Sequence, residues 1–310
     1  MKKHNCRNTY ISIVSGFLGS GKTTFLQEYM QYLLKTDEKI TIIMNEFGTF
    51  DVDSLTFNNE VAINALVNGC VCCDLKADLV AQLKNIIADG QTTHIIIEAT
   101  GIAHPLEIMM ACQDPEVIHL ISEVKMIGIL DASRFLHRHR YSLTTVELME
   151  EQLAYSSMII INKMDLINDQ EQKKLSAELT QINPQATTCY TTFGQLDITT
   201  FNNIKHVDNM KSPAKHAHHH GIKSMQYTFS GPIDRQLFYQ FILKLPQNVF
   251  RLKGFVRFRD CADVIYEFQY AHGLPSYGEV DKEVPLTIVI IGEHIDVERL
   301  RNNLDMLQFT

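Results

Sequence analysis

The amino-acid sequence predicts an α/β protein in which a doubly wound parallel sheet precedes a smaller α+β domain. Three observations lead there. Short apolar, β-branched runs at 10–14, 40–44, 93–97, 124–130, 158–161 and 187–190 alternate with longer stretches of mostly helical pattern, as parallel strands joined by crossover helices do. The composition shifts after about residue 205, where a polar segment precedes a second set of runs. A glycine-rich turn from Gly16 to Gly21 joins the first run to the first helical stretch, where open α/β sheets keep their ligand crevice.

After that turn, Phe25, Leu26, Tyr29, Met30, Leu33 and Leu34 recur at the spacing of one helix face, and 75–87 is again amphipathic. The segment 206–222 carries Pro213 and a histidine run, so it reads as a linker or exposed loop between a first domain at 1–205 and a second at 223–310. In the second domain, strands are expected at 224–229, 250–258, 264–268 and 286–291, and helices at 235–243 and from Asp296 onward. Largely antiparallel pairing is expected there.

The 310 residues, 45% hydrophobic and 21% charged, suffice for one large core or two smaller ones. A net charge of -8, from 28 basic and 36 acidic residues, argues against a nucleic-acid backbone or an anionic membrane surface as the main partner. No apolar run is long enough to span a bilayer and the first residues are polar, so a cytoplasmic location is expected. Seven cysteines are too few and too uneven for a disulfide scaffold. Cys112, Cys189 and Cys261 stand singly among apolar neighbours and read as structural thiols.

Gly16-Phe17-Leu18-Gly19-Ser20-Gly21-Lys22-Thr23 fits the phosphate-binding pattern G-x-x-x-x-G-K-[ST] between a strand and a helix. Gly16, Gly19, Ser20 and Gly21 let backbone N–H groups curl around phosphate. Lys22 reaches the terminal phosphates, and Thr23, with Thr24 beside it, offers oxygen to Mg²⁺ at the helix N-terminus. Asn162-Lys163-Met164-Asp165 follows an apolar strand. There the Asp165 carboxylate can accept from guanine N1–H and N2–H₂, Asn162 can bond the O6/N7 edge and the Lys163 stem can cover the ring. GTP is the expected nucleotide. Between the two motifs Glu98-Ala99-Thr100-Gly101 ends a strand, with Glu98 placed to hold Mg²⁺ and the Gly101 N–H to sense the γ-phosphate. Lys22, Thr23 and Glu98 are the candidate catalytic residues; no glutamine follows Gly101 to orient a water, so no catalytic base is evident and slow turnover is expected.

Cys70, Cys72 and Cys73 fall within four positions just before a helix. They can present thiolates to a soft metal ion, pair as a redox couple, or stand as inert cysteines. His216, His218, His219 and His220 form either a surface metal-capture loop or a plain solvated one.

Taken together, the phosphate loop, Asn45-Glu46-Phe47-Gly48, Gly69-Cys70-Val71-Cys72-Cys73, Glu98-Ala99-Thr100-Gly101, the N-K-M-D and Arg251 with Lys253-Gly254-Phe255 resemble the CobW family of metallochaperone GTPases over nearly the whole chain. The resemblance implies a SIMIBI-type P-loop domain, GTP hydrolysis, and delivery of Zn²⁺, Co²⁺ or another transition metal to a client metalloprotein. It implies Cys70, Cys72 and Cys73 as ligands of that metal and Glu98 as the family's acidic residue at the magnesium site. Glu46 and Asp53 would lie in a nucleotide-responsive switch, with Glu46 a further candidate metal ligand. The chain departs from the family in Thr49, where members often carry an acid, and that leaves an accessory metal site there in doubt. Two other readings stay open, a P-loop kinase or ATPase and a non-enzymatic metal buffer or sensor. The client, the physiological metal and the oligomeric state are not legible in the sequence.

Overall fold

The computed structural model describes residues 9–36, 38–44, 61–65, 75–101, 104–194, 196, 200–201, 218–219, 222–271, 274–281 and 283–309. The chain forms two compact units, one of residues 1–112 and 120–210, the other of 113–119 and 211–310.

The first unit is built on seven parallel strands: β1 (Thr9–Ser15), β2 (Ile40–Met44), β3 (Val61–Ala65), β4 (His94–Glu98), β5 (Ile121–Asp131), β6 (Met158–Asn162) and β7 (Thr187–Tyr190). Their order across the sheet is β3-β2-β4-β1-β5-β6-β7. The helices are α1 (Lys22–Leu34), α2 (Leu75–Ala88), α3 (Pro105–Cys112), α4 (Ala132–Leu136), α5 (Leu143–Ala154) and α6 (Asp169–Ile182). Parallel strands covered on both faces need apolar residues at successive positions, which is why β4 and β6 read as unbroken isoleucine runs. Ile160 packs with Phe25, Leu26, Tyr29 and Met30 of α1 on one face. Its neighbours Ile159 and Ile161 pack with Phe135, Leu153, Leu175 and Leu179 on the other. Each such side chain contributes about 1.5–3 kcal/mol on burial. One polar cluster is buried with them. The Ser12 hydroxyl lies 2.9 Å from His94 Nε2 and 3.1 Å from the Tyr29 hydroxyl, joining β1, β4 and α1. Burial raises the Tyr29 pKa, which keeps its hydroxyl protonated. Burial likewise raises the pKa of the Cys112 thiol, which suits a structural role, while Cys189 and Cys261 are partly exposed.

The second unit carries an antiparallel sheet of β8 (His218–His219), β9 (Ile222–Thr228), β10 (Val249–Phe258), β11 (Cys261–Ala271), β12 (Leu274–Val280) and β13 (Thr287–Glu293), in the order β12-β11-β10-β13-β9-β8. Helices α7 (Arg235–Leu243) and α8 (Val297–Phe309) pack Phe238, Phe241, Leu300 and Leu304 into its core. The K-G-F segment of β10 has a physical reason at each position. The Lys253 ammonium bonds Asp114 at 2.9 Å and Glu267 at 3.1 Å. Burial lowers its pKa, but the two carboxylates outweigh burial and leave it above the ordinary lysine value. A Cβ at Gly254 would overlap the backbone of Thr287 and Ile288 on β13. Phe255 is fully buried.

Two sequence expectations change. The histidine segment is not loop throughout, since His218 and His219 pair with Lys223 and Ile222 as an edge strand. Residues 113–119 group with the second unit, an excursion that the first-domain pattern did not reveal. Among the described residues no helix is long and apolar enough to cross a membrane.

Candidate functional site

In a parallel sheet all strands end on one edge, and the loops leaving that edge collect the ligand-binding groups. β1 ends at Ser15, and the glycine-rich turn delivers the chain into α1 through Gly21, which sits in a left-handed conformation with φ 103°. A side chain at Gly21 would be strained, and its Cβ would overlap the Asn162 amide. No side chain caps the N-terminus of α1 and no acid occupies its first turn, so the backbone N–H groups and the positive helix pole are kept for an anion. The Lys22 ammonium folds back along the turn, 2.7 Å from the Gly16 carbonyl and 3.4 Å from that of Phe17. Ser20 is buried with its hydroxyl unpartnered, while Thr23 and Thr24 are exposed.

Glu98 ends β4 directly beside the end of β1, in register with Val14, and the Ala99 N–H donates to the Val14 carbonyl. Gly101 then packs against Leu18 of the turn so closely that a Cβ would overlap it, and its carbonyl accepts from Gln152 Nε2 at 3.1 Å. The strand end therefore brings Gly101 against the phosphate turn and Glu98 beside the end of β1 that feeds it.

On the other side, β6 ends in Asn162. Its amide joins two backbone segments: Nδ2 donates to the Ser20 carbonyl at 3.0 Å, and Oδ1 accepts from the Gly194 N–H at 3.0 Å. The two bonds join the phosphate turn to residues 191–194, and each uses one of the two hydrogen-bonding positions at its end of the amide. Lys163 adopts a left-handed backbone with φ 61° and stretches its ammonium to the Gly19 carbonyl at 2.9 Å and Asp131 at 2.7 Å. Asp165 is exposed.

Three groups at this site were not read from the sequence. Asp131 ends β5, is 6% exposed, caps α4 through the Arg134 N–H and receives the Lys163 ammonium. Arg134 donates to the Leu18 carbonyl at 2.7 Å, a partner 116 positions away. The 191–194 loop is the third. A signal existed in the acid that ends the 124–130 run and opens a helix, but only the fold pairs it with lysine. Asp131→Asn should keep the helix cap, since asparagine caps as well as aspartate. It should weaken nucleotide binding about tenfold by removing the ionic anchor of Lys163, a charged hydrogen bond of about 1.5–3 kcal/mol. Calorimetric titration with GDP beside a melting curve checks both, and unchanged affinity would remove Asp131 from the site.

Cys70, Cys72, Cys73, Glu46, Asp53, His216 and His220 lie outside the described residues, as do the side chains of His218 and His219. Among the described residues, no three His, Cys, Asp or Glu side chains group closely enough to hold a metal ion.

Residues 10–190 match the family model of the CobW/HypB/UreG nucleotide-binding domain, and residues 222–308 match that of the cobalamin synthesis protein CobW C-terminal domain. The chain belongs to the CobW/HypB/UreG family. Among its relatives, the zinc chaperone YjiA of Escherichia coli is 30% identical over 197 residues, 61% of this chain and 59% of that protein. The zinc-regulated GTPase metalloprotein activator 1 of Dictyostelium discoideum is 28% identical over 213 residues, 57% of this chain and 44% of that protein. The chain thus spans about half the length of these relatives. The crystal structure of Zn(II)-bound YjiA GTPase from E. coli aligns over 97% of this chain and 99% of that one at 21% identity with a TM-score of 0.47, a likeness too loose to bear on function. The CobW nucleotide-binding match spans all of β1 to β7 from Tyr10 onward, and so takes in the phosphate turn, Glu98 and the N-K-M-D.

Proposed function

We propose that this chain is a GTPase that holds a transition metal, zinc above others, and gives it up to a client metalloprotein according to nucleotide state. The observation that carries the nucleotide half is the bracing of the N-K-M-D segment against the phosphate turn through Asn162–Ser20 and Lys163–Gly19. That bracing sets a base reader and a phosphate cradle at a fixed separation, leaving Asp165 to meet the guanine N1–H and N2–H₂. Lys22 moves from the Gly16 carbonyl to the terminal phosphates, Gly16 to Gly21 supply N–H donors, and Gly101 bears on the γ-phosphate. Thr23 in the first turn of α1 and Glu98 at the end of β4 are hard oxygen donors, which suits Mg²⁺. That ion supplies neutralisation of phosphate charge.

The zinc half rests on the soft donors Cys70, Cys72 and Cys73 and on the relatives named as zinc chaperones. A reducing cytoplasm would keep those thiols available. On this proposal the division of labour is nucleotide chemistry in 1–205 and client contact in 223–310, with 206–222 between them. The purified protein with Mg²⁺ should release phosphate from GTP at a slow rate that a large excess of ATP leaves unchanged. Turnover of ATP at an equal rate would return the kinase or ATPase reading. Phosphate release with no zinc bound more tightly than by a Cys72→Ser variant would end the metal half.

A further inference from the structure

Residues 191–194 were not part of the sequence reading of the site, yet they are fastened to the N-K-M-D from both ends. The Met164 N–H donates to the Thr191 carbonyl at 3.3 Å, and the Gly194 N–H donates to Asn162 Oδ1 at 3.0 Å. Phe193 lies between these two fastenings, and its ring is 72% exposed. Its backbone is left-handed, with φ 57°, and Gly194 follows at φ 68°. A non-glycine residue in that conformation costs about 1–2 kcal/mol, and aspartate or asparagine tolerate it better than an aromatic does. A large exposed ring is unfavourable as well, so turn geometry alone calls for glycine here and explains neither the ring nor its exposure. Strained residues of this kind gather at ligand sites. Among the described residues only Lys163, Phe193 and His294 are non-glycine with positive φ, and the first two stand at this one site.

We infer that Phe193 is the aromatic platform on which the purine ring of the nucleotide stacks, with the stem of Lys163 as a second wall. This rests on the reading that the base sits at Asn162–Asp165. A purine bound at a surface crevice has two flat faces to cover. The Lys163 ammonium is tied at both Gly19 and Asp131, which draws its methylenes taut enough to serve as one cover. An aromatic ring on a neighbouring, fastened loop is the natural second, since base–aromatic stacking is favourable for any base and needs no hydrogen bond. Phe193 then adds affinity without selecting guanine, and selection stays with Asp165.

The chain contains no tryptophan, so Phe193→Trp places its sole indole on the proposed platform. GDP with Mg²⁺ should quench that indole saturably, with a midpoint equal to the calorimetric Kd, and ADP at the same concentrations should not. Phe193→Gly removes the ring while easing the backbone, so it should melt no lower than the parent without nucleotide yet bind GDP about tenfold more weakly. Phe193→Tyr should restore parental affinity. Parental GDP affinity in Phe193→Gly, alongside weakened binding in Asp165→Ala, would overturn the platform and leave the base site standing. Weakened binding in Phe193→Gly with no quenching in Phe193→Trp would assign the ring to loop packing and also overturn it. Unchanged GDP affinity in Asp165→Ala would remove the base site itself, and the platform with it.

Discussion

Zinc should bind about 150-fold more tightly to the protein loaded with a non-hydrolysable GTP analogue than to the same protein with GDP, a difference of about 3 kcal/mol. A carrier must keep its metal in transit and release it at the client, and a site of fixed affinity cannot do both. The fold gives the coupling a route. The chain leaves β2 at Met44 and β3 at Ala65 on the edge where β4 presents Glu98, and Met44 is in register with both Ala65 and Glu98. The segments that carry Glu46, Asp53 and the three cysteines therefore leave from the strand ends that lie in register with Glu98. Linkage is reciprocal, so zinc should favour the GTP analogue over GDP by the same factor. Cys72→Ser should abolish tight zinc binding and leave metal-free nucleotide affinity nearly intact. Competition against a chelator in the two nucleotide states measures the factor. Equal affinities would leave a metal-binding GTPase without a carrier cycle, and the buffer reading would replace the chaperone.

Asp165→Ala should cost GDP affinity about 10²–10³-fold, because two guanine donors lose their charged acceptor and are left unpaired on binding. The structure sharpens this expectation. Asn162 and Lys163 are engaged in joining loops, whereas Asp165 is exposed, so its removal should leave the nucleotide-free melting midpoint unchanged. Asn162→Ala, by contrast, should lower both stability and affinity, since it frees the Ser20 carbonyl and the Gly194 N–H together. Asp165→Asn should damage GDP binding similarly and shift preference toward xanthine nucleotides. Equal GDP and ADP affinity in the unaltered protein would defeat the guanine assignment.

The parts of this architecture that were legible in the sequence are those governed by local rules. The β1–turn–α1 unit announces itself through an apolar run, a glycine pattern and a helical period within 26 residues, Thr9 to Leu34. The buried runs of β2 and β6, and the more exposed β7, likewise fall where the isoleucines and threonines place them. The edge strands β3 and β12 did not show. β12 reads Leu-Pro-Ser-Tyr-Gly-Glu-Val, with exposed residues at nearly every position, so neither burial nor alternation marks it, and its proline is tolerated because it lies at the sheet edge. β3 is a five-residue strand at the sheet edge, paired with β2 among the described residues. Around the phosphate turn, the bracing contacts of Asn162, Asp131 and Arg134 were not read from the sequence. Their meaning lies in contacts between distant positions, such as Arg134 with Leu18, and no local pattern encodes those.

The strand order has an engineering consequence. β1, which feeds the phosphate turn, lies at the centre. The base reader leaves β6, two strands to one side, about 10 Å away, and the chain toward the cysteines leaves β3, three strands to the other, about 14 Å away. On the proposed function, base and cargo would be handled on opposite flanks, with the phosphate turn as the shared ground between them. The purine works as an address and the terminal phosphate as the message, with separate hardware for each. Rewiring Asp165 to accept a different purine should therefore produce an orthogonal switch: a carrier driven by an unnatural nucleotide whose metal timing is inherited unchanged.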